Sequence, residues 1–540
     1  MENNNKNNMA DSQVKALPND TCNEFVYNIC DQQGKLVLSI NAHGDVVVNE
    51  LIARKIRNGE LTEHLMALDQ AVRQIPDAER RSAVNRTVIQ DYSDNILDAI
   101  ITKGNFTGFS VKTQSDYSDS RIVSVANVDI CPQVNTATFC LYTAEHDGKL
   151  YQYIAYYDHH HQLCVAQRIK TGSSWSTFTY VKLDSFIGYD GHNYIRMIID
   201  NEGYLHLCAN MHTDPLNYWR FTHPYSIEHY VKKPMTGMDE DSVTYPFFIR
   251  LHSGQIMFAY RNGVSGNGDH YVNFLQNGQW TDHRMIFNGT NTSKSAYCCG
   301  MIGDFNGVFY NSYTGDYDLF FAWRDNHDPM STGKLCYMRT KDFKQFYNIS
   351  NESVSLPVQS TNINIIIDAV DYNGGLINSF WRVLQAGSSG TLFCYHKYES
   401  NKSVIKAALI KGTSLTTATV VSWTVKLELS ELLAGFALSL KEESSAFVVR
   451  CGYSSSTIKK YNLNKTTLAK ISESSGGDDF YDYPSCVRQV MDNEDGSVSC
   501  GIAQEQNQGL TGHHFLAKYE YAKDGQLALP TYLRLIEYTM

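Results

Sequence analysis

The sequence predicts an all-β chain, a seven-bladed β-propeller preceded by a small hairpin and an α-helical N-terminal region. Three observations carry this. At 540 residues the chain is too long for one small core. From about residue 120 onward aromatic, strand-forming segments recur as similar units. Before that point the apolar spacing is helical instead.

The N-terminal part divides in two. Residues 1–21 form a polar, Asn-rich leader that reads as disordered. Residues 22–110 read as a hairpin and helical attachment or oligomerisation region. KLVLSI and DVVVNEL are short apolar strands bracketed by the turn signals QQGK and AHGD. Leu61, Leu65, Leu68 and Val72 then form one helical stripe, and Val84, Val88, Tyr92, Ile96 and Ile100 a second. A hairpin followed by helices resembles the attachment regions that precede receptor-binding domains in tail fibres. A generic docking or oligomerisation domain fits the pattern equally.

The propeller is assigned to residues 111–540. Its units start near 151, 204, 255, 317, 376, 444 and 498, at intervals suited to four-stranded blades. They begin with segments such as YQYIAYYDHHH, QIMFAYRNGV and YDLFFAWRDN. Two packed β-sandwiches would not yield seven similar units, and a β-helix would use much shorter repeats.

Composition narrows the partners. The 46 basic and 57 acidic residues leave a net charge of −11, which argues against a dedicated nucleic-acid binder. Tyrosine is abundant, at 35 residues, and suits an aromatic surface for carbohydrate as well as a plain Tyr-rich sheet. No window has the apolar length of a membrane span, and the polar start is not a secretory signal. The 13 cysteines are odd in number and lack CxxC spacing, with Cys298-Cys299 the one close pair. That pattern fits thiols folded in a reducing cytosol. Synthesis in a host cytoplasm followed by export inside a virion tail would reconcile such thiols with a glycan-handling chain. An extracellular location is the alternative.

A propeller gathers its site from residues far apart in sequence. Here His192 leads the outer approach to the second unit, and His212 follows twenty residues later. Tyr245 lies in SVTYPFFIRL. Arg261 in FAYRNG, Arg324 in FAWRDN and Arg382 in SFWRVL are read at the same repeat position as His212. Arginine forks onto carboxylate or sulfate, so this register predicts an anion-reading rim.

DGHNYI, NMHTDPLNYWR, TYPFF and YRNGVSGNGDHYVN resemble the BNR-type propeller family that contains ulvan-type polysaccharide lyases. The similarity runs from about Tyr151 to Leu356, with a weaker tail beyond. The resemblance implies that His192 and Tyr245 transfer protons and that His212 and Arg261 neutralise a substrate carboxylate. It also implies that Tyr297, in SKSAYCC, touches substrate, although its flanking sequence departs from the family pattern. Arg324 joins the substrate-binding set from its repeat position. The implied reaction is β-elimination on a uronate-containing polysaccharide, with no cofactor required.

Plainer readings stand beside these. A lone histidine at a strand end is more often a surface or capped core residue. His206, Tyr204 and Tyr260 are read as packing between sheets. His159-His160-His161 reads as a solvated turn. His327, Cys336, Cys394 and His396 have the chemistry of a structural zinc site, without diagnostic spacing. The partners expected are an acidic polysaccharide, other virion or tail proteins through the N-terminal region, and further copies of the chain. Neither nucleic acid nor membrane insertion is expected. Besides the lyase, two functions stay open: a non-catalytic glycan-binding adhesin and a structural virion propeller.

Overall fold

The computed structural model describes residues 25–30, 36–41, 46–48, 110–112, 120, 122–130, 139–158, 161–187, 192–299, 309–328, 331–368, 382–427, 437–453, 457–475, 499–504, 514–521 and 531–538. Among the described residues the regular structure, apart from short 3-10 turns, is entirely β. The leader and both helical stripes of the N-terminal region lie outside the described residues. The hairpin lies within them and has a third strand. Leu36–Asn41 pairs antiparallel with Val46–Val48 and, on its other edge, with Phe25–Cys30.

From residue 110 onward the described strands fall into six hydrogen-bonded sheets. The eleven-stranded one consists of two antiparallel meanders joined by a parallel bridge between Gly268 and Ser295, and these count separately as sheets 3 and 4 in the chain-order numbering used here. Sheet 1 runs from Phe139–His146 to Thr179–Phe186 and sheet 2 from Arg196–Ile199 to Tyr230–Lys232. Sheet 3 holds Val243–Arg250, Ile256–Val264, Asn267–Gln276 and Gln279–Phe287. Sheet 4 is built on Asp316–Arg324 and Thr332–Thr340, and its first strand comes in two pieces, Ser295–Cys299 and Phe309–Asn311. Sheets 5 and 6 begin at Arg382–Gln385 and Ala437–Glu442. Sheet 7 combines Ser499–Gln504, His514–Tyr521 and Thr531–Tyr538 with Ile122–Ile130, which pairs in register with the last of them.

The pattern within a sheet explains the arrangement. Second strands are apolar almost throughout: DYDLFFAWR is buried at every position. A strand that is covered on both faces loses the usual alternation of apolar and polar residues. Last strands are wetter, and KISESS is exposed along its whole length. Buried clusters link sheets in succession. One joins sheets 7, 1, 2 and 3, a second joins 3 and 4, a third joins 4 and 5, and a fourth joins 5 and 6. First strands of neighbouring sheets also touch, as those of sheet 2 do with those of sheets 1 and 3. The result is a propeller-like stack with its first strands innermost.

Buried polar groups stitch the same interfaces. His206, fully buried in sheet 2, contacts Asp200 Oδ2 at 3.1 Å and Tyr218 Oη at 2.6 Å. Trp280 of sheet 3 donates to the same Tyr218 oxygen at 3.0 Å. His206 and Tyr260 are thus core residues, as the plain reading has them. Between sheets 4 and 5, Asp318 accepts hydrogen bonds from Tyr337, Gln385 and Thr391. Six buried cysteines carry free thiols, Cys140, Cys164, Cys208, Cys336, Cys394 and Cys451. Among the described residues no helix is long and apolar enough to cross a membrane.

Candidate functional site

The second strands of sheets 1 and 4 end in Tyr157 and Arg324, and that of sheet 3, Ile256–Val264, carries Arg261 near its end. His212 follows the second strand of sheet 2, Leu205–Cys208. His192 precedes the first, innermost strand of sheet 2. This corrects the sequence reading, which put His192 on the outer approach. Its alternation with apolar residues is compatible with either edge of a sheet.

His192 and His212 stack, with ring centroids 4.6 Å apart and planes 20° from parallel. Tyr157 joins the two segments that carry them. Its hydroxyl donates to the Asn193 carbonyl at 3.1 Å and accepts from the Asn210 amide at 2.8 Å. Asn210 and Thr213 flank His212 with φ of 58° and 65°. Asparagine tolerates that left-handed region, whereas a β-branched threonine there is strained. The strain is held by bonds from the Thr213 N–H to Thr244 Oγ1 and to the Val243 carbonyl. The His212 loop is thereby pinned to the strand that carries Tyr245.

Tyr245 sits on a β-bulge. Thr244 faces Arg261 and Phe247 faces Ala259, so Tyr245 and Pro246 share the space opposite Tyr260. Pro246 has no N–H to give the ladder, which suits it to a bulge. The φ of Tyr245 is 58°, in the left-handed region that a bulky residue seldom adopts. The bulge turns the ring out of strand alternation toward Tyr194, at 5.3 Å between centroids, and Tyr297, at 6.3 Å.

Arg261 is 1% exposed and lies 5.0 Å from the centroid of Tyr245. Its Nη1 donates to Tyr297 Oη at 3.1 Å, while among the described residues its Nε has no partner. Among the described residues it meets no carboxylate. Its cross-strand neighbour is His270, whose imidazole is held well below the usual range by burial and by Arg261, and so is neutral. Gly268 makes room: a Cβ there would come within 2.9 Å of Arg261 Cδ.

Tyr297 is 3% exposed and sits between two arginines. Arg324 stacks over its ring at 3.7 Å, donates from Nε to Thr332 at 2.8 Å and from Nη1 to Ser265 at 3.2 Å. Ser265 Oγ lies 3.0 Å from Tyr297 Oη. Burial draws the Arg324 guanidinium below its usual range, with repulsion from Arg261 adding to this. Two buried cations thus share tyrosine and serine hydroxyls.

All six residues singled out for catalysis or binding therefore lie in linked contacts across sheets 2, 3 and 4. Arg382 does not follow the pattern. It opens the first strand of sheet 5, paired with Cys394, instead of ending a second strand. The motif equivalent to FAYR and FAWR in that sheet is FCYH, which ends at the buried His396. The zinc candidates are spread over a loop of sheet 4, at His327, and over strands of two sheets, at Cys336, Cys394 and His396. Among the described residues no three His, Cys, Asp or Glu side chains gather as metal ligands. His159 and His160 lie outside the described residues, and His161 is buried.

Residues 151–423 match the BNR repeat-containing family. The chain is a member of that family. The match takes in most of sheet 1, sheets 2 to 5 and every residue of the site above. Among solved structures, this BNR-repeat protein is similar to a polysaccharide lyase at 14% identity, covering 73% of this chain and 89% of the other with a TM-score of 0.48. It is similar to an ulvan lyase at 11% identity, covering 76% and 93% with a TM-score of 0.48. No curated protein sequence matches it.

Four residues of the BNR-repeat site were not singled out in the sequence. Tyr157 and Ser265 act through hydroxyl bonds, while Tyr194 lies within DGHNYI and Arg196 directly follows it, in the same segment as His192. Tyr194 was open to detection, because it falls inside a motif that carries the resemblance, and Arg196 borders that motif. Tyr157 and Ser265 reach their partners only through tertiary contacts.

Proposed function

We propose that this chain binds an acidic, uronate-containing polysaccharide and cleaves it by β-elimination. The observation that carries this is Arg261, a buried guanidinium without a carboxylate partner among the described residues, set between Tyr245 and Tyr297. A buried charge without a counter-charge is costly, and an anionic substrate would supply the missing partner.

The chemistry follows from the residue types. The proton on the carbon next to a uronate carboxylate is weakly acidic. Arg261 and His212 would neutralise that carboxylate and the enolate that forms as the proton leaves. Tyr245 and His192 would share the proton transfers, one taking the ring proton and one protonating the glycosidic oxygen. The carbon–oxygen bond breaks as the ring double bond forms, so no oxidant or water is consumed. Tyr297 and Arg324 would hold the neighbouring part of the chain.

The setting proposed is a virion tail, in which the N-terminal region attaches to other tail proteins. The buried free thiols support folding in a reducing host cytoplasm. Labelling purified particles with an antibody to the chain tests this setting.

The activity is tested with a panel of uronate polymers, following the ultraviolet absorbance of an unsaturated uronate product. Product from wild type that His192→Ala abolishes supports the lyase. Tight glycan binding with no product from any polymer would leave a glycan-binding adhesin.

A further inference from the structure

We infer that Arg196 is a third anion-binding side chain of this site, resting on the glycan reading above. Arg196 lies on the innermost strand of sheet 2, four residues beyond His192, and is 3% exposed. Among the described residues its one hydrogen bond runs from Nη1 to the carbonyl of its own neighbour Ile195, at 2.9 Å. Its buried Nε has no partner among the described residues, and no carboxylate among them pairs with it. Its guanidinium lies 5.3 Å from the ring of Tyr194 and 5.6 Å from that of Phe247.

These contacts place Arg196 at one end of a ladder. Arg196 faces Tyr194, Tyr194 faces Tyr245, Tyr245 lies under Arg261, Arg261 bonds Tyr297, and Tyr297 lies under Arg324. Three cations and three aromatic rings are thus linked across sheets 2, 3 and 4, with Tyr194 and Tyr245 adjacent in the ladder. Aromatic faces attract guanidiniums but do not replace a counter-anion. A purely structural arginine in a core is normally met by an acid or by several carbonyls. Arg196 has one carbonyl. An acidic polymer lying along the ladder would bring more than one negative group, and Arg196 supplies a cation on the sheet 2 side of the ladder. Arg261 serves the sugar that reacts, and Arg196 selects for a second charge on the same chain.

Arg196→Met tests this, because methionine keeps the apolar stem and removes the charge. Removing an uncompensated buried charge should leave the melting temperature equal to or above that of wild type. Affinity should fall tenfold or more for polygalacturonate, alginate, hyaluronan and chondroitin sulfate, whichever of them wild type binds. Carboxyl-reduced forms of the same polymers should bind both proteins equally weakly. A melting temperature below wild type assigns Arg196 to the scaffold and overturns the inference. Unchanged affinity for the acidic polymer overturns it too. Arg261→Met run in parallel separates the two readings. If that variant loses binding and Arg196→Met does not, this inference alone fails. If wild type binds none of the four polymers, the glycan reading fails and takes this inference with it.

Discussion

The imidazoles of His192 and His212 stack face to face, 4.6 Å between centroids, although twenty residues and a whole strand hairpin separate them. Each ring limits the rotation of the other, and Tyr157 holds both segments from the neighbouring sheet. In the proposed reaction one imidazole moves a proton and the other faces the carboxylate. His192→Ala should therefore lower turnover by about 10²–10⁴-fold, the usual yield of general acid–base catalysis, with glycan affinity nearly intact. Tyr245→Phe should do the same, because the ring beneath Arg261 remains. Calorimetric binding beside product assays separates the two effects. Equal losses in binding and turnover would make these residues contacts only.

Arg261 is expected to act mainly in the transition state. Arg261→Ala should cut kcat/KM by about 10²–10³-fold, roughly 3–4 kcal/mol, because the enolate then forms without its counter-charge. Steady-state kinetics on the best polymer of the panel gives this number. A rise in KM alone, with kcat unchanged, would show uniform binding instead.

The second strands were the most legible part of the chain. FAYR and FAWR read directly as buried strands ending in arginine, and the structure puts Arg261 and Arg324 beside one tyrosine. The same reading failed at SFWR, because first and second strands of a meander share one apolar look. Only pairing shows that Arg382 opens its sheet. The bulge at Tyr245 had a cue in Pro246, a residue ill-suited to a ladder. Ser265 had none, since its role depends on a loop meeting the turn at Asn326 and His327. Arg196 looked like any strand arginine until its lack of an acid could be seen.

Gly268 offers a way to disturb Arg261 without touching it. An added Cβ would stand 2.9 Å from Arg261 Cδ and 3.0 Å from Cγ, so the side chain must shift. Gly268→Ala should break the bond to Tyr297 and lower turnover at least tenfold. Its stability cost should stay within about 1–3 kcal/mol, the usual range for overpacking. Urea melts and assays on the same preparation check this. Wild-type turnover would mean that Arg261 has slack its contacts do not show.

Acid should destabilise the fold through its buried histidines. Burial lowers the pKa values of His206 and His270 and brings His396 down to about 3. Each is neutral when folded, while the unfolded chain binds a proton near the ordinary value of about 6.5. Below that value the unfolded state holds more protons, so stability falls as pH drops. Each histidine contributes about 1.4 kcal/mol per pH unit in that window, which for His396 extends down to about pH 3. His396→Phe keeps an aromatic ring against Tyr398 and removes the titration. Its denaturation free energy should fall less steeply between pH 6 and pH 4 than that of wild type, by about one histidine's share. Identical slopes would place the acid sensitivity elsewhere.

The last prediction concerns how sheet 7 is held to sheet 1. Glu537, 1% exposed, ends the strand that pairs with Ile122–Ile130. It forms an ion pair with Lys170 of sheet 1 and accepts from Trp175 Nε1 and Ser124 Oγ, each at 2.8 Å. Burial alone would raise its carboxyl pKa, but these three donors outweigh burial and hold it below the ordinary range. The contribution is therefore present above the unfolded value near pH 4 and is lost as pH falls through the lower folded value. Glu537→Gln would strand the Lys170 ammonium, which is largely buried with a side-chain exposure of 12%. Removing one partner of a buried pair costs about 3–5 kcal/mol, and the exposure here places the loss toward the lower end. Lys170→Met with Glu537→Gln should recover part of that loss, because no charge is then left without a partner. Chemical denaturation of the two single variants and the double variant measures the coupling. Additive losses would show that the pair does not hold the two sheets together.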